Sequence, residues 1–282
     1  MGQDRGVTAR ANSFGSVAAD YDRLRPSPSQ PAVAWLLEPA TSAVGAGRRI
    51  DVVEVAAGTG LATRALVAAG HHVTALEPDE RMRAILLGLN LPGVTVVAGY
   101  AEDLPLPDAC ADAVVIASAW HWVDPPRGVA EFARVLRPGG VFAAVWTGAL
   151  DLDLLLSPST ALPEATPGLA QWAVEQRGQV APAAAGPAPT EEFPSKHRSV
   201  DLPSASPFHD AAEAVFTFSR TMTADDLVAL QGTYSEIITL PDDERARRLE
   251  QTRTSLAQRM GARGDDVLTV PCDSRCWRAV RD

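Results

Sequence analysis

A short buried strand that runs into a turn of small residues constrains this chain more than any other stretch. The stretch at residues 51–54 ends in the acidic Glu54, and Gly58 and Gly60 follow in the turn. Apolar residues at 61–69 then recur at helical spacing. Glycine permits a sharp bend and lets a ligand approach the backbone closely, and a helix start offers unpaired N–H groups. The stretch therefore predicts a strand, a ligand-binding loop and a helix.

The acid at the end of the strand restricts the ligand. A carboxylate at Glu54 would repel a pyrophosphate, whereas it suits a cationic ligand or an ammonium group. The dinucleotide fingerprint also fits poorly, because its third glycine falls on Thr63, where glycine or alanine is expected. Two alternatives remain open from the residues alone. One is a nicotinamide-dependent oxidoreductase on a Rossmann core, and the other is a non-catalytic protein that has kept the fold.

Two motifs carry a resemblance to a known family. Residues 54–60, Glu-Val-Ala-Ala-Gly-Thr-Gly, resemble the first motif of class I S-adenosylmethionine-dependent methyltransferases, with Ala56 in place of the first glycine. The Leu-Arg-Pro-Gly-Gly turn at 136–140, which leads into a strand, is similar to a second family signature. The resemblance covers residues 13–147 best and is closest to the trans-aconitate type. It implies S-adenosylmethionine as the cofactor and a small-molecule methyl acceptor that is methylated on oxygen, nitrogen or a carboxylate.

The resemblance implies cofactor contacts on the N-terminal segment and at the ends of successive strands. The expected cofactor-binding residues are Tyr21, Arg25, Glu54, Ala56, Gly58, Gly60, Glu77, Pro78, Ala101, Glu102 and Ala117. Arg25 would pair with the cofactor carboxylate. Glu77 ends the second predicted strand, near the spacing at which an acid binds ribose hydroxyls. The Ala101 N–H and the Glu102 side chain would meet the adenine edge.

A histidine between two tryptophans follows the fourth predicted strand, where open α/β sheets bind ligands. The expected substrate contacts are Tyr21, Trp120, His121, Trp122 and Trp146. His121 is the candidate catalytic residue, because an imidazole titrates near neutral pH and could accept a proton from a hydroxyl or amine acceptor. A carboxylate acceptor would need no base.

The alternation of strands and helices predicts an α/β fold with a parallel sheet covered on both faces. By resemblance, two further strands, one of them antiparallel, complete a doubly wound Rossmann-like sheet of seven strands. The predicted divisions are a disordered tail at 1–12, a cofactor-binding core with an N-terminal lid helix at 13–149, a substrate cap insertion and adjoining strand at 150–235, and a C-terminal helix with closing strands at 236–282.

Secondary structure outside the motifs is predicted from periodicity and capping residues. The predicted helices include 29–39 and 241–260, and the predicted late strands are 214–218 and a closing pair at 267–270 and 276–280. Asp79, Asp124 and Thr223 are predicted to cap helices.

The composition excludes several classes of partner. The net charge is −10, with 35 acids against 25 bases, which argues against binding to nucleic acid. No apolar run is long enough to span a membrane, and the first residues lack the apolar core of a signal peptide. Three cysteines form neither a disulfide framework nor a zinc-ligand pattern, so we expect no metal and a cytoplasmic location. The sequence leaves the oligomeric state open.

Overall fold

Seven strands form one sheet in the computed structural model, which describes residues 12–45, 47–149 and 200–282. The strands are β1 (Asp51–Val55), β2 (His72–Leu76), β3 (Val94–Val97), β4 (Ala111–Ala117), β5 (Leu136–Ala149), β6 (Phe208–Thr223) and β7 (Val267–Arg281). Their order is β3-β2-β1-β4-β5-β7-β6. The neighbours from β3 to β5 pair in parallel, and β7 is antiparallel to both β5 and β6. The predicted fold class is confirmed.

Helices cover both faces of this sheet. They are α1 (Ala18–Leu24), α2 (Gln30–Val44), α3 (Leu61–Ala68), α4 (Glu80–Gly88), α5 (Pro125–Val135), α6 (Ala224–Gln231), α7 (Ser235–Ile238) and α8 (Asp242–Met260), with 3-10 helices at Asn12–Val17 and Trp120–Trp122. Leu36 of α2 and Leu66 of α3 join the core on one face, and Phe132 of α5 joins the core on the other. Strand β4 is almost entirely buried, as its apolar sequence predicts for a central parallel strand.

Three predicted helix caps are present, and each follows from local chemistry. Asp79 accepts hydrogen bonds from the N–H groups of Arg81 and Met82, Asp124 accepts one from Arg127, and Thr223 accepts one from Asp226. Each cap satisfies N–H groups that have no partner within the first helical turn.

The prediction that the second helix ends at residue 39 is wrong, because α2 continues to Val44 with Pro39 inside it. A proline within a helix leaves the carbonyl four residues earlier without its N–H partner. Here that carbonyl belongs to Trp35, and the guanidinium of Arg278 donates to it. The same guanidinium lies 4.2 Å from the centre of the Trp35 ring. A residue from the last strand therefore supplies the donor that Pro39 removes.

The predicted closing pair of strands is also wrong, because residues 267–281 form one continuous strand, β7, between β5 and β6. Both neighbouring strands pair with the polar residues in its middle, so the strand does not break there. Asp273 is buried and accepts a hydrogen bond from Arg275, while the hydroxyls of Ser274 and Thr147 lie 3.2 Å apart. The predicted strand at 214–218 is the middle of the longer β6.

The helices that connect β6 to β7 pack against the N-terminal segment. Helix α1 contacts α6, and the 3-10 helix at Asn12–Val17 contacts α7. Arg23 forms an ion pair with Asp226, and Arg220 donates to the Leu24 carbonyl at 2.6 Å. Most of the expected cap, residues 150–199, lies outside the described residues, as do residues 1–11 of the expected tail. Within the described part, α6 to α8 extend from the carboxyl end of β6.

Candidate active site

The loop after β1 has three residues with positive φ angles, and the surroundings of its two glycines differ. Ala56, Gly58 and Gly60 have φ values of 54°, 59° and 91°. A Cβ on Gly60 would lie 2.5 Å from Leu86 Cδ1, so glycine is required for the loop to pack on α4. A Cβ on Gly58 would have Met82 Cε, at 3.8 Å, as its nearest neighbour among the described residues. The space beside Gly58 is therefore available to a ligand.

Glu54, the residue before the last in β1, carries a fully buried carboxyl group. Its Oε2 accepts a hydrogen bond of 2.5 Å from the Thr63 hydroxyl, and its Oε1 is buried without a hydrogen-bond partner among the described residues. Burial raises the pKa of Glu54 to about 8, against the opposing effect of the Thr63 hydrogen bond. A buried acceptor without a partner is costly, and an incoming ammonium group would satisfy it.

Glu77 at the end of β2 holds the glycine loop in place. The side chain accepts hydrogen bonds from the Gly58 N–H at 2.7 Å and from the Asp79 N–H at 2.9 Å. Arg83 donates to the carbonyls of both Glu77 and Pro78. Burial raises the pKa of Glu77. Each carboxylate oxygen can accept a further hydrogen bond, so the expected ribose contact of Glu77 stays a prediction.

The expected adenine-binding residues lie on the loop after β3. Ala101 is buried, and the side chain of Glu102 accepts a hydrogen bond of 2.9 Å from the Asp124 N–H. Glu102 therefore links this loop to the start of α5. Ala117 ends β4, and the next residue, Ser118, turns the chain with a φ of 54°. The adenine contacts of Ala101 and Glu102 stay predictions.

Aromatic contacts bring the N-terminal segment to the turn after β4. The Phe14 ring centre lies 5.8 Å from that of Tyr21 and 6.4 Å from that of Trp122. The rings of His121, which is exposed, and Trp122 have centres 4.6 Å apart. Three of the expected substrate residues thus lie close together, and Phe14 joins them. Its helical spacing with Tyr21 was visible in the sequence, but its contact with Trp122 was not.

Trp120 and Trp146 are both buried, but their surroundings differ. Trp120 is 5% exposed and packs against Phe132 and Phe142 in the core, so we leave it out of the acceptor site. Trp146, near the end of β5, is 7% exposed. Its indole N–H is buried and has no hydrogen-bond partner among the described residues. A buried donor of this kind is matched by a ligand that carries an acceptor atom.

Arg25 is held by two residues that the sequence gave no reason to select. Its Nε donates to the Thr233 hydroxyl at 2.8 Å, and its Nη2 donates to the Thr233 carbonyl at 3.0 Å. The guanidinium carbon lies 3.9 Å from the ring centre of Tyr234 and 5.3 Å from that of Tyr21. Thr233 and Tyr234 carry no local motif, so only the fold shows that they belong with Arg25.

Neither a metal site nor a membrane span is found in the described part of the chain. Within residues 12–45, 47–149 and 200–282, no three His, Cys, Asp or Glu side chains are grouped to hold a metal ion. None of the helices in these ranges is long and apolar enough to cross a membrane.

Comparison with known proteins shows the family to which the chain belongs. Residues 53–144 match the model of a family described as a methyltransferase domain. The chain is 34% identical over 268 residues to an uncharacterised methyltransferase of Mycobacterium tuberculosis strain H37Rv, covering 95% of each protein. It is also 34% identical over 148 residues to a malonyl-[acyl-carrier protein] O-methyltransferase of Pectobacterium atrosepticum, covering 50% of this chain and 55% of the other.

A solved structure has the same fold. A proposed type II methyltransferase from Anaeromyxobacter dehalogenans superposes with a TM-score of 0.57 at 24% identity, covering 91% of this chain and 97% of that one. The protein belongs to the class I S-adenosylmethionine-dependent methyltransferases. It is therefore an enzyme whose methyl donor is S-adenosylmethionine, and the alternative of a nicotinamide-dependent oxidoreductase is wrong. The Oε1 of Glu54, which has no partner in the described part of the chain, and the space beside Gly58 fit the amino-acid part of this donor.

Proposed function

We propose that this enzyme methylates a small molecule on an oxygen, a nitrogen or a carboxylate, and that it groups with the small-molecule methyltransferases of the trans-aconitate type. The observation that carries the proposal is the position of the N-terminal segment. A Cβ on Gly15 would lie 2.6 Å from Asp79 Oδ1, so this segment lies directly beside the end of β2. The neighbouring Phe14 contacts Trp122. One short segment therefore borders both the start of α4, just after β2, and the turn after β4, and this position over the ends of two strands favours a small acceptor.

The donor would be bound by charges on both sides of its amino-acid part. When bound, S-adenosylmethionine supplies an electrophilic methyl group on its sulfonium. The Glu54 carboxylate would hold the ammonium group, Arg25 would hold the carboxylate, and Glu77 would hold the ribose hydroxyls. Holding reactants in line can contribute about 7–11 kcal/mol to lowering the barrier. Phe14, Tyr21 and Trp122 would exclude water from this space.

The acceptor would lie between the turn after β4 and the end of β5. The indole N–H of Trp146 has no hydrogen-bond partner among the described residues, and a small molecule that carries an oxygen atom would supply one. The exposed His121 lies beside Trp122 and would remove a proton from a hydroxyl or amine acceptor. An acceptor that arrives as a carboxylate would leave His121 with a contact role only.

The experiment is an untargeted search for methylated products. Purified enzyme is incubated with a metabolite extract and S-adenosylmethionine that carries a deuterated methyl group, and mass spectrometry identifies metabolites that gain the label. We expect at least one small labelled product with the wild-type enzyme and none with Gly58→Val. Donor binding without any labelled small molecule, across extracts of different origin, would contradict the proposal and favour a macromolecular acceptor.

A further inference from the structure

The side chain of Arg25 is oriented by residues that lie more than two hundred positions away in the sequence. We infer that Thr233 and Tyr234 are positioning residues, which orient the Arg25 guanidinium so that its remaining N–H groups meet the carboxylate of the bound methyl donor. The inference rests on the proposed function of Arg25 as the donor's carboxylate partner. It assigns a role in donor binding to the connection between β6 and β7.

Thr233 is placed to fix one edge of the guanidinium. It is 1% exposed, and its hydroxyl proton is directed to the Leu230 carbonyl at 2.6 Å. The hydroxyl oxygen therefore keeps its lone pairs for Arg25 Nε, and the Thr233 carbonyl takes Nη2. Both bonds use the same side of the planar group. No described residue forms a hydrogen bond with Arg25 Nη1, so the terminal edge remains available for a carboxylate, which it can bind with two parallel hydrogen bonds.

Tyr234 and Tyr21 fix the plane of the guanidinium. Their ring centres lie 3.9 Å and 5.3 Å from the Arg25 guanidinium carbon. Stacking on aromatic faces is favourable for arginine in particular, because its charge is delocalised and weakly hydrated. The two rings fix the plane of the guanidinium, and Thr233 fixes one of its edges. The Arg25 side chain therefore has little rotational freedom left to lose when the donor binds.

The backbone that carries Arg25 is also held by the helix that follows the glycine loop. Arg64, on the helix that follows the glycine loop, binds both carboxylate oxygens of Asp22 at 2.7 Å and 2.9 Å. The Arg25 N–H bonds to the Tyr21 carbonyl, and the chain then leaves the helix before Pro26. Arg25 thus lies between two sets of contacts. One joins Asp22 to Arg64 on α3, and the other joins Arg25 itself to Thr233, between α6 and α7.

The test compares two ligands that differ in the group Arg25 is expected to hold. S-adenosylhomocysteine contains the amino-acid part, whereas 5′-methylthioadenosine contains the nucleoside and thioether without it. Thr233→Val removes the hydroxyl and keeps the shape. We expect it to weaken S-adenosylhomocysteine binding by about tenfold or more, since it disorders a charged contact, and to change 5′-methylthioadenosine binding by less than about twofold. Thr233→Ser should restore the affinity, and Tyr234→Leu should repeat the selective loss.

The double variant Arg25→Ala/Thr233→Val distinguishes positioning from an independent contact. If Thr233 acts through Arg25, the double variant binds S-adenosylhomocysteine no more weakly than Arg25→Ala alone. Equal losses for both ligands in Thr233→Val, or no loss for either, would overturn the inference while leaving the proposed function intact. A wild-type protein that binds neither ligand would instead overturn the proposed function, and the inference with it.

Discussion

The hydroxyl of Thr63 donates a hydrogen bond of 2.5 Å to Oε2 of Glu54, a carboxyl group that solvent does not reach. The other oxygen of Glu54 has no described partner. The carboxyl group is therefore better accommodated in its protonated form until a cation binds beside it. Two measurable consequences follow from this arrangement.

Glu54→Gln should flatten the dependence of stability on pH. The folded pKa of Glu54, about 8, lies above its value of 4.5 without burial. Its contribution to stability is therefore complete below about pH 4.5 and is lost as the pH rises toward 8, because the unfolded chain gives up the proton first. Gln cannot ionise, so urea denaturation at about pH 5 and pH 8 should show a smaller difference for the variant. Equal differences in the two proteins would show that Glu54 ionises normally in the folded state.

Donor binding should release a proton near neutral pH in the wild-type enzyme. An ammonium group beside Glu54 favours the carboxylate, so the affinity for S-adenosylhomocysteine should rise with pH up to the pKa of Glu54. Calorimetry in two buffers of different ionisation enthalpy measures the released proton directly. Glu54→Gln serves as the control, since it should show no proton release from this site. If the heat of binding is the same in both buffers, no proton is released, and donor binding is not linked to the ionisation of Glu54.

Ala56→Gly should stabilise the folded protein. Ala56 has a φ of 54°, a left-handed conformation that costs a residue with a Cβ about 1–2 kcal/mol. Glycine relieves that strain but increases the entropy of the unfolded chain by about 0.4–1 kcal/mol. The net gain should be about 0.5–1 kcal/mol in the free energy of unfolding. Ala57→Gly, at a neighbouring position without a positive φ, is the matched control and should destabilise. A loss of stability in both variants would count against strain at Ala56.

Gly58→Val should abolish donor binding while leaving the fold intact. The branched side chain would fill the space beside Gly58 and would also be strained at a φ of 59°. Gly139→Val controls for the strain, because Gly139 has a φ of 77° and no described atom within 4 Å of its added Cβ. Calorimetry with S-adenosylhomocysteine should show normal binding for Gly139→Val and no binding for Gly58→Val. Normal binding by Gly58→Val would mean that the donor does not occupy this loop.

His121→Gln tests whether the histidine acts as a general base. Gln keeps a similar size and hydrogen-bonding capacity but cannot accept a proton near neutral pH. If His121 is the base, kcat should fall by roughly 10²–10⁴-fold, and the loss of activity at low pH should disappear from the pH profile. Donor affinity should be preserved, and it provides the control. An unchanged kcat and pH profile would leave His121 as a substrate contact and favour an acceptor that is already deprotonated.

The parts of the fold that were predicted correctly depend on short stretches of sequence. The glycine loop, the buried strand β4 and the caps at Asp79, Asp124 and Thr223 each follow from residues within one or two helical turns of each other. The errors have non-local causes. Helix α2 passes through Pro39 because Arg278 supplies the missing donor, and β7 is continuous because β5 and β6 pair with it through its central polar residues, where Thr147 of β5 lies beside Ser274.

The sequence by itself determined the class of fold and the glycine loop after β1, and it predicted a site at the carboxyl ends of the strands. The spacing of apolar, acidic and glycine residues is enough to predict these features, because each of them depends on backbone groups that are neighbours in the sequence. Only the tertiary structure decided that Trp120 belongs to the core, that Glu54 is buried with one oxygen lacking a described partner, and that Thr233 and Tyr234 hold Arg25. Burial and pairing of this kind arise when distant segments pack together, so no single stretch of the chain contains the information.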